Sequence, residues 1–170
     1  MKIVVLNGSP RPKGNTAGLA AAFKEGAESA GHEVEVIGVG MMNIHGCRAC
    51  DYCHNKGGGK CVQDDDMQKV YPALAAADMI VFASPVHYFG LSGQMQSAIA
   101  RIYAPFRPAA QKYAMLISSG SPGVTDGIKA QYALMLSLFG GQDMGFYTYN
   151  GPNNRTEETF AELRAFGASL

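Results

Sequence analysis

Ile3-Val4-Val5-Leu6, followed at once by Asn7-Gly8-Ser9-Pro10-Arg11-Pro12-Lys13-Gly14-Asn15-Thr16, is the stretch on which the fold turns. Four consecutive apolar residues without polar alternation read as a strand covered on both faces, which is the habit of parallel sheets. Two further runs have the same character, Met79-Ile80-Val81-Phe82-Ala83 and Ala114-Met115-Leu116-Ile117. Weaker strands are expected at Val34 to Val39 and Phe146 to Tyr149. Helical periodicity fills the gaps: Leu19, Phe23, Gly26, Ala27 and Ala30 mark one face, with Gly31 placed as a C-cap. Tyr132, Met135 and Phe139 mark another helix. Phe160, Leu163 and Gly167 mark the last, with Asn154 as its expected cap and Glu157 three residues on. Alternating strands and helices describe an α/β chain, and right-handed crossovers favour a flavodoxin-like, doubly wound, five-stranded parallel sheet of order 2-1-3-4-5.

The chain has 170 residues, room for one ordinary domain. We expect a single domain over 1–170, with a cysteine-rich insertion at about 45–66. Lys plus Arg and Asp plus Glu each number 14, so the formal charge is zero, which argues against a nucleic-acid or anionic-membrane partner. Charged residues are only 16% of the chain, which suggests that a partner covers part of the surface. No targeting peptide or membrane span is read in it. All four cysteines fall between Cys47 and Cys61, a clustering that points to metal in a reducing cytoplasm rather than to a disulfide framework.

The loop after the first strand sits at the switch-point crevice of such a sheet, where ligands bind. Small and hydroxylated residues there leave backbone N–H groups free for an anion, and the helix N-terminus adds positive potential. It is neither a Walker A loop nor a Gly-x-Gly-x-x-Gly fingerprint. A tight turn with Thr16 as helix cap is the plainer alternative to phosphate binding.

Cys47-x2-Cys50-x2-Cys53-x7-Cys61 places three thiols in one tight turn and returns a fourth after Gly57-Gly58-Gly59. Four thiolates suit a tetrahedral zinc or a [4Fe–4S] cluster. Three close ligands plus a fourth favour the cluster; zinc, free thiols or an internal disulfide are the alternatives. His45 and His54 stand nearby. The acidic triplet Asp64-Asp65-Asp66 reads as a cap on a short turn, with a fresh helical start at Pro72. From Leu91 a helix carries two apolar stripes, Leu91, Met95, Ala98 and Ile102, and Ile99, Tyr103 and Phe106. Two stripes imply burial on two sides, hence a homodimer or higher homo-oligomer, with a wholly internal helix as the alternative.

Gly8-Ser9-Pro10-Arg11 with Gly14-Asn15-Thr16 resembles the phosphate loop of the NADPH-dependent FMN reductase family. Ala83-Ser84-Pro85-Val86-His87-Tyr88 resembles that family's isoalloxazine loop, and Met95 to Arg101 its following helix. The resemblance implies that Ser9, Arg11, Asn15 and Thr16 hold the FMN phosphate. It implies that Pro85, Val86, His87 and Tyr88 line the flavin ring, while Ser119 and Gly120 close the pocket. A Tyr more usually stands at the place of His87, which either hydrogen-bonds the flavin N1/O2 region or has no electronic part. The cysteine spacing resembles that of the iron–sulfur flavoprotein branch, implying a cluster at Cys47, Cys50, Cys53 and Cys61. The implied function is an FMN-dependent oxidoreductase passing electrons from NAD(P)H or a reduced ferredoxin-type donor to a flavin, quinone or other redox partner, small molecule or protein. His87 and Tyr88 are then the residues beside the reacting ring. The alternatives are a non-catalytic flavodoxin-type electron carrier and a zinc-stabilised binding module.

Overall fold

The computed structural model describes residues 1–105 and 107–170. Its elements run β1 (Lys2–Asn7), α1 (Asn15–Ser29), β2 (Glu33–Ile37), a 3-10 turn (Val39–Met41), α2 (Tyr52–Asn55), α3 (Met67–Ala76) and β3 (Met79–His87). There follow β4 (Gly90–Leu91), α4 (Gly93–Arg101), β5 (Lys112–Ser119), α5 (Asp126–Phe139), β6 (Gln142–Asn150), a second 3-10 turn (Gly151–Arg155) and α6 (Glu157–Ala168). The sheet order is β2-β1-β3-β5-β6, with β4 paired antiparallel to β3 beside that path. Setting the two-residue β4 aside, the expected five-stranded order 2-1-3-4-5 is what forms, and every pairing along it is parallel.

The apolar runs carry no polar alternation because each successive side chain enters a different layer. Ile3, Val5, Met79, Val81, Ala114 and Leu116 pack with Leu19, Phe23 and Ala27 of α1 and Leu163 of α6. Val4, Leu6, Ile80, Phe82, Met115 and Ile117 pack with Met67 and Val70 of α3, Met95 of α4 and Tyr132 of α5. Helices α1 and α6 touch almost backbone to backbone at Gly26, where any side chain would overlap the Arg164 main chain.

Three local expectations are corrected. Helix α3 does not restart at Pro72 but runs through it from Met67. An interior Pro costs about 3 kcal/mol, whereas burying Met67, Val70 and Leu74 offsets this at roughly 1.5–3 kcal/mol for each side chain. Asn154 does not cap α6; Thr156 does, its Oγ1 accepting from the Thr159 N–H at 3.2 Å. Asn154 is instead buried, its Nδ2 donating to the carbonyls of Ser119 and Gly151, both at 2.8 Å. The acidic triplet is more than a cap, because Asp65 is the buried partner of Arg101. On α4 the first apolar stripe is core, while Tyr103 is 45% exposed and Phe106 lies outside the described residues. Among the described residues no helix is long and apolar enough to cross a membrane.

Candidate functional site

Register brings three sequence-predicted segments to one sheet edge. Asn7 pairs with Ala83, and Pro85 with Ser118, so β1, β3 and β5 deliver their following loops side by side. The loop after β1 is braced from within. Its Gly8 N–H donates to the Ala83 carbonyl at 2.8 Å, Asn7 Oδ1 accepts from the Ser9 N–H at 3.0 Å, and Ser9 Oγ accepts from the Arg11 N–H at 3.2 Å. Gly14 supplies no side-chain cap to α1, and the helix has no acidic residue in its first turn. Its leading N–H groups and positive dipole end therefore face this loop. Ser9 and Thr16 are both buried, at 4% and 1% exposed, and the Thr16 hydroxyl is bonded to Ser118 Oγ at 2.7 Å. Arg11 is exposed and Asn15 half-buried.

Past Ala83, β3 continues to His87 and turns back through a two-residue hairpin, with Val86 opposite Leu91 and His87 opposite Gly90. The tip residues Tyr88 and Phe89 both have positive φ, +50° and +66°. That is the backbone of a type I′ turn, ordinarily occupied by Asn-Gly. Tyr88 is 97% exposed and Phe89 66%. Two aromatic side chains are thus held out to solvent on a strained turn, a pattern found at ligand sites. The hairpin is tied down through serines. Ser92 N–H donates to Ser84 Oγ at 3.1 Å, and Ser92 Oγ donates to the Gly8 carbonyl at 2.7 Å while capping α4. Pro85 and Val86 are half-buried and His87 is exposed.

Ser119 closes β5, donating to the Ser121 carbonyl at 2.8 Å, and Gly120 follows it at the surface. Sequence reasoning missed Arg155. Its Nε donates to Asn15 Oδ1 at 2.6 Å and its Nη2 to the Lys13 carbonyl at 2.7 Å, laying a second cation beside Arg11's loop. The available signal was its place just beyond the last strand, at the same carboxyl edge.

The four cysteines line a common cavity together with Arg48, Asp51, Gln63, Ala100, Arg101 and Tyr103. The excursion that carries them starts against the loop after β1, but the cysteines themselves lie by the last turn of α4. Cys47 and Cys50 are exposed, Cys61 half-buried and Cys53 buried. Ala49 and Asp51, flanking Cys50, take positive φ. The loop is pinned to the end of α4 by Tyr103, whose hydroxyl donates to Asp51 Oδ1 at 3.1 Å and whose carbonyl meets His54 Nε2 at 2.8 Å. Tyr103, expected at a subunit interface, is therefore partly engaged within its own chain.

Residues 1–152 match the family described as NADPH-dependent FMN reductase. The chain belongs to that family. It is 34% identical over 139 residues to an iron–sulfur flavoprotein of Archaeoglobus fulgidus, covering 79% of this chain and 65% of the relative. The chain spans about half the length of most curated relatives it matches, from 46% upward. The fold is shared with an NAD(P)H:quinone oxidoreductase from Methanothermobacter marburgensis, at TM-score 0.72 and 17% identity, covering 100% of this chain and 96% of that one. It is shared also with a flavodoxin from the domain Archaea, at TM-score 0.64 and 20% identity, covering 99% and 95%. The flavodoxin-like reading of the sheet is thereby supported.

In this FMN reductase family member Arg101 lines the cysteine cavity, with Asp65 behind it as its buried partner. Asp65 and Arg101 are each 1% exposed and joined at 2.6 Å. Burial alone would raise the Asp65 carboxyl, but the Arg101 hydrogen bond and the N–H groups of His45 and Met67 hold it below the usual carboxylate range. Burial opposes the Arg101 charge, yet Asp65, Tyr71 and Cys61 together keep its pKa above its ordinary value. Burial pushes the Cys53 thiol up. No three His, Cys, Asp or Glu side chains among the described residues stand close enough to hold an ion. The donor set nevertheless fits a tetrathiolate centre in kind, with four sulfurs and the buried Arg101 lining one cavity.

Proposed function

We propose that this chain is an FMN-dependent oxidoreductase of the iron–sulfur flavoprotein kind. It would take electrons from NAD(P)H or a reduced ferredoxin-type donor and pass them to a flavin, quinone or protein redox partner. One observation carries this reading: a single helix serves both candidate sites. The cap of α4, Ser92, donates to the Gly8 carbonyl of the phosphate loop, and its last turn, Ala100 and Arg101, lines the cysteine cavity. At about 1.5 Å per residue the two are roughly 14 Å apart along the helix.

When bound, FMN supplies an acceptor at N5 that handles electrons singly or in pairs. Ser9, Asn15 and the leading N–H groups of α1 would hold its phosphate, with Arg11 and Arg155 supplying charge. Thr16 contributes its backbone N–H, since its hydroxyl is engaged by Ser118. Pro85, Val86, His87 and Tyr88 would line the ring, and Ser119 and Gly120 would close the opposite side. His87, exposed where β3 ends, would donate to the ring's N1/O2 edge. Cys47, Cys50, Cys53 and Cys61 would ligate one [4Fe–4S] cluster. A homodimer is the proposed assembly, supported by Leu134 and Leu138 of α5, which are 73% and 56% exposed; a stable flavin-bound monomer at high dilution would refute it.

The test is an absorption spectrum of protein purified without oxygen, with iron and zinc measured on the same sample. Flavin bands with a broad shoulder and about four irons per chain support the whole reading. Flavin alone leaves a simple FMN reductase with idle cysteines. A colourless protein overturns both, and one zinc per chain would then make it a zinc-stabilised module. Rapid NAD(P)H oxidation by the loaded protein separates an enzyme from a flavodoxin-type carrier.

A further inference from the structure

Among the described residues Arg101 is the largest fully buried side chain, and it uses only one of its three nitrogens. Nη1 donates to Asp65 Oδ2 at 2.6 Å and to the His45 carbonyl at 3.0 Å. Nε and Nη2 are buried with no hydrogen-bond partner among the described residues. Buried polar groups are nearly always paired, and each orphan costs about 1–3 kcal/mol, so two on one guanidinium call for an acceptor. Asp65 is not that acceptor. Its carboxylate also takes the His45 N–H at 3.0 Å and the Met67 N–H at 3.1 Å, and it does not line the cysteine cavity, whereas Arg101 does.

The chemistry of the cavity says what the acceptor is. Neutral thiols and disulfides are weak acceptors. Thiolates are anionic and take charge-assisted N–H bonds. Four cysteine thiolates around a doubly charged metal or cluster core sum to a dianion, which is costly to bury without a compensating cation. We propose that Arg101 is the positioning and charge-compensating residue of the cysteine site, its Nε–H and Nη2–H groups turned toward an anionic four-thiolate centre. The cavity is thereby built for that occupant and not for free thiols or an internal disulfide. This rests on the cluster reading above. A consequence follows for redox behaviour. Held beside such a centre, the Arg101 cation would favour the more negatively charged, reduced form over the oxidised one.

The experiment is a dithionite titration, without oxygen, of protein reconstituted with ferrous iron and sulfide, dithionite supplying the electron. The parent protein, Arg101→Lys and Arg101→Gln are compared. Because Arg101→Gln leaves Asp65 without its cation, Asp65→Asn with Arg101→Gln provides a neutral pair if the single variant does not fold. The expected result is a midpoint potential shifted negative in the Gln variants and held near the parent value by Arg101→Lys. A merely structural residue would alter stability without moving the potential. Equal potentials in iron-loaded parent and Gln variants overturn the inference alone, leaving a water bridged to Gln63 Oε1, also buried and unpartnered in that cavity, as the acceptor. Absence of iron from the reconstituted parent overturns the cluster reading, and this inference with it.

Discussion

Gly40 lies so close to Ser9 that a methyl group on its α-carbon would overlap the Ser9 carbonyl. The 3-10 turn that opens the cysteine-bearing excursion is thus pressed against the backbone of the loop after β1. Only glycine permits the approach, here for its lack of a side chain and not for a left-handed backbone. Gly40→Ala should push the loop outward, costing about 1–3 kcal/mol by overpacking. Flavin affinity should fall roughly tenfold or more, equivalent to about 1.4 kcal/mol. Fluorescence titration of stripped protein with FMN checks this; unchanged affinity would mean the loop adjusts without loss.

The hairpin tip makes the opposite prediction, a gain of stability with a loss of binding. Tyr88 and Phe89 occupy positions that favour Asn and Gly. Tyr88→Asn with Phe89→Gly should stabilise the protein by about 1–3 kcal/mol, through relief of left-handed strain at two residues. Flavin binding or turnover should decline, since the exposed aromatics are lost. Urea denaturation read beside flavin occupancy separates the two effects, and a variant that loses stability would show the tip packed and not strained.

Thr16→Val removes the buried hydrogen bond to Ser118. The expected cost is about 1–3 kcal/mol, because the Ser118 hydroxyl is left without its partner. Adding Ser118→Ala should recover part of that loss, giving a coupling of about 0.5–3 kcal/mol in a double-mutant cycle. Flavin retention should fall less than in Ser9→Ala, whose hydroxyl sits in the loop itself.

Asp65 has a pH signature. Its folded pKa lies below the unfolded value of about 3.9. Its contribution to stability is therefore complete above that pH and disappears as pH falls through the lower folded value. Asp65→Asn, which strands Arg101, should cost about 3–5 kcal/mol at neutral pH. Denaturation curves recorded at successively lower pH should show the gap between parent and variant closing only below about pH 4.

Cys50→Ser should abolish iron binding and leave bound flavin unchanged, because the cysteine cavity and the loop after β1 lie at opposite ends of α4. Iron and flavin assays on one preparation decide it. Joint loss of both would indicate that the excursion holds the loop in place.

Much of this was legible before any coordinates. Ile3 to Leu6, Met79 to Ala83 and Ala114 to Ile117 announce a parallel sheet because a strand buried on both faces must be apolar at every position. The loop at Gly8 to Thr16 and the cysteine spacing are local chemistry, written in consecutive residues. Pro72 misled because local propensity counts the lost hydrogen bond but not the burial of Met67, Val70 and Leu74 on the sheet. Asn154 misled because a cap and a buried amide use the same residue type.

Chain order and composition by themselves announce the α/β alternation and the four clustered thiols, since each is written in consecutive residues, and crossover handedness extends that reading to the strand order. Tertiary structure alone decides the rest. Asp65 and Arg101 are separated by the whole of β3, yet packing joins them in one buried pair, with Arg101 lining the cysteine cavity. Arg155 and Asn15 lie at opposite ends of the chain and meet because the parallel strands bring their carboxyl ends to one edge. Such partners are chosen by the topology of the sheet, and no local pattern encodes a contact whose cost and gain depend on what is buried around it.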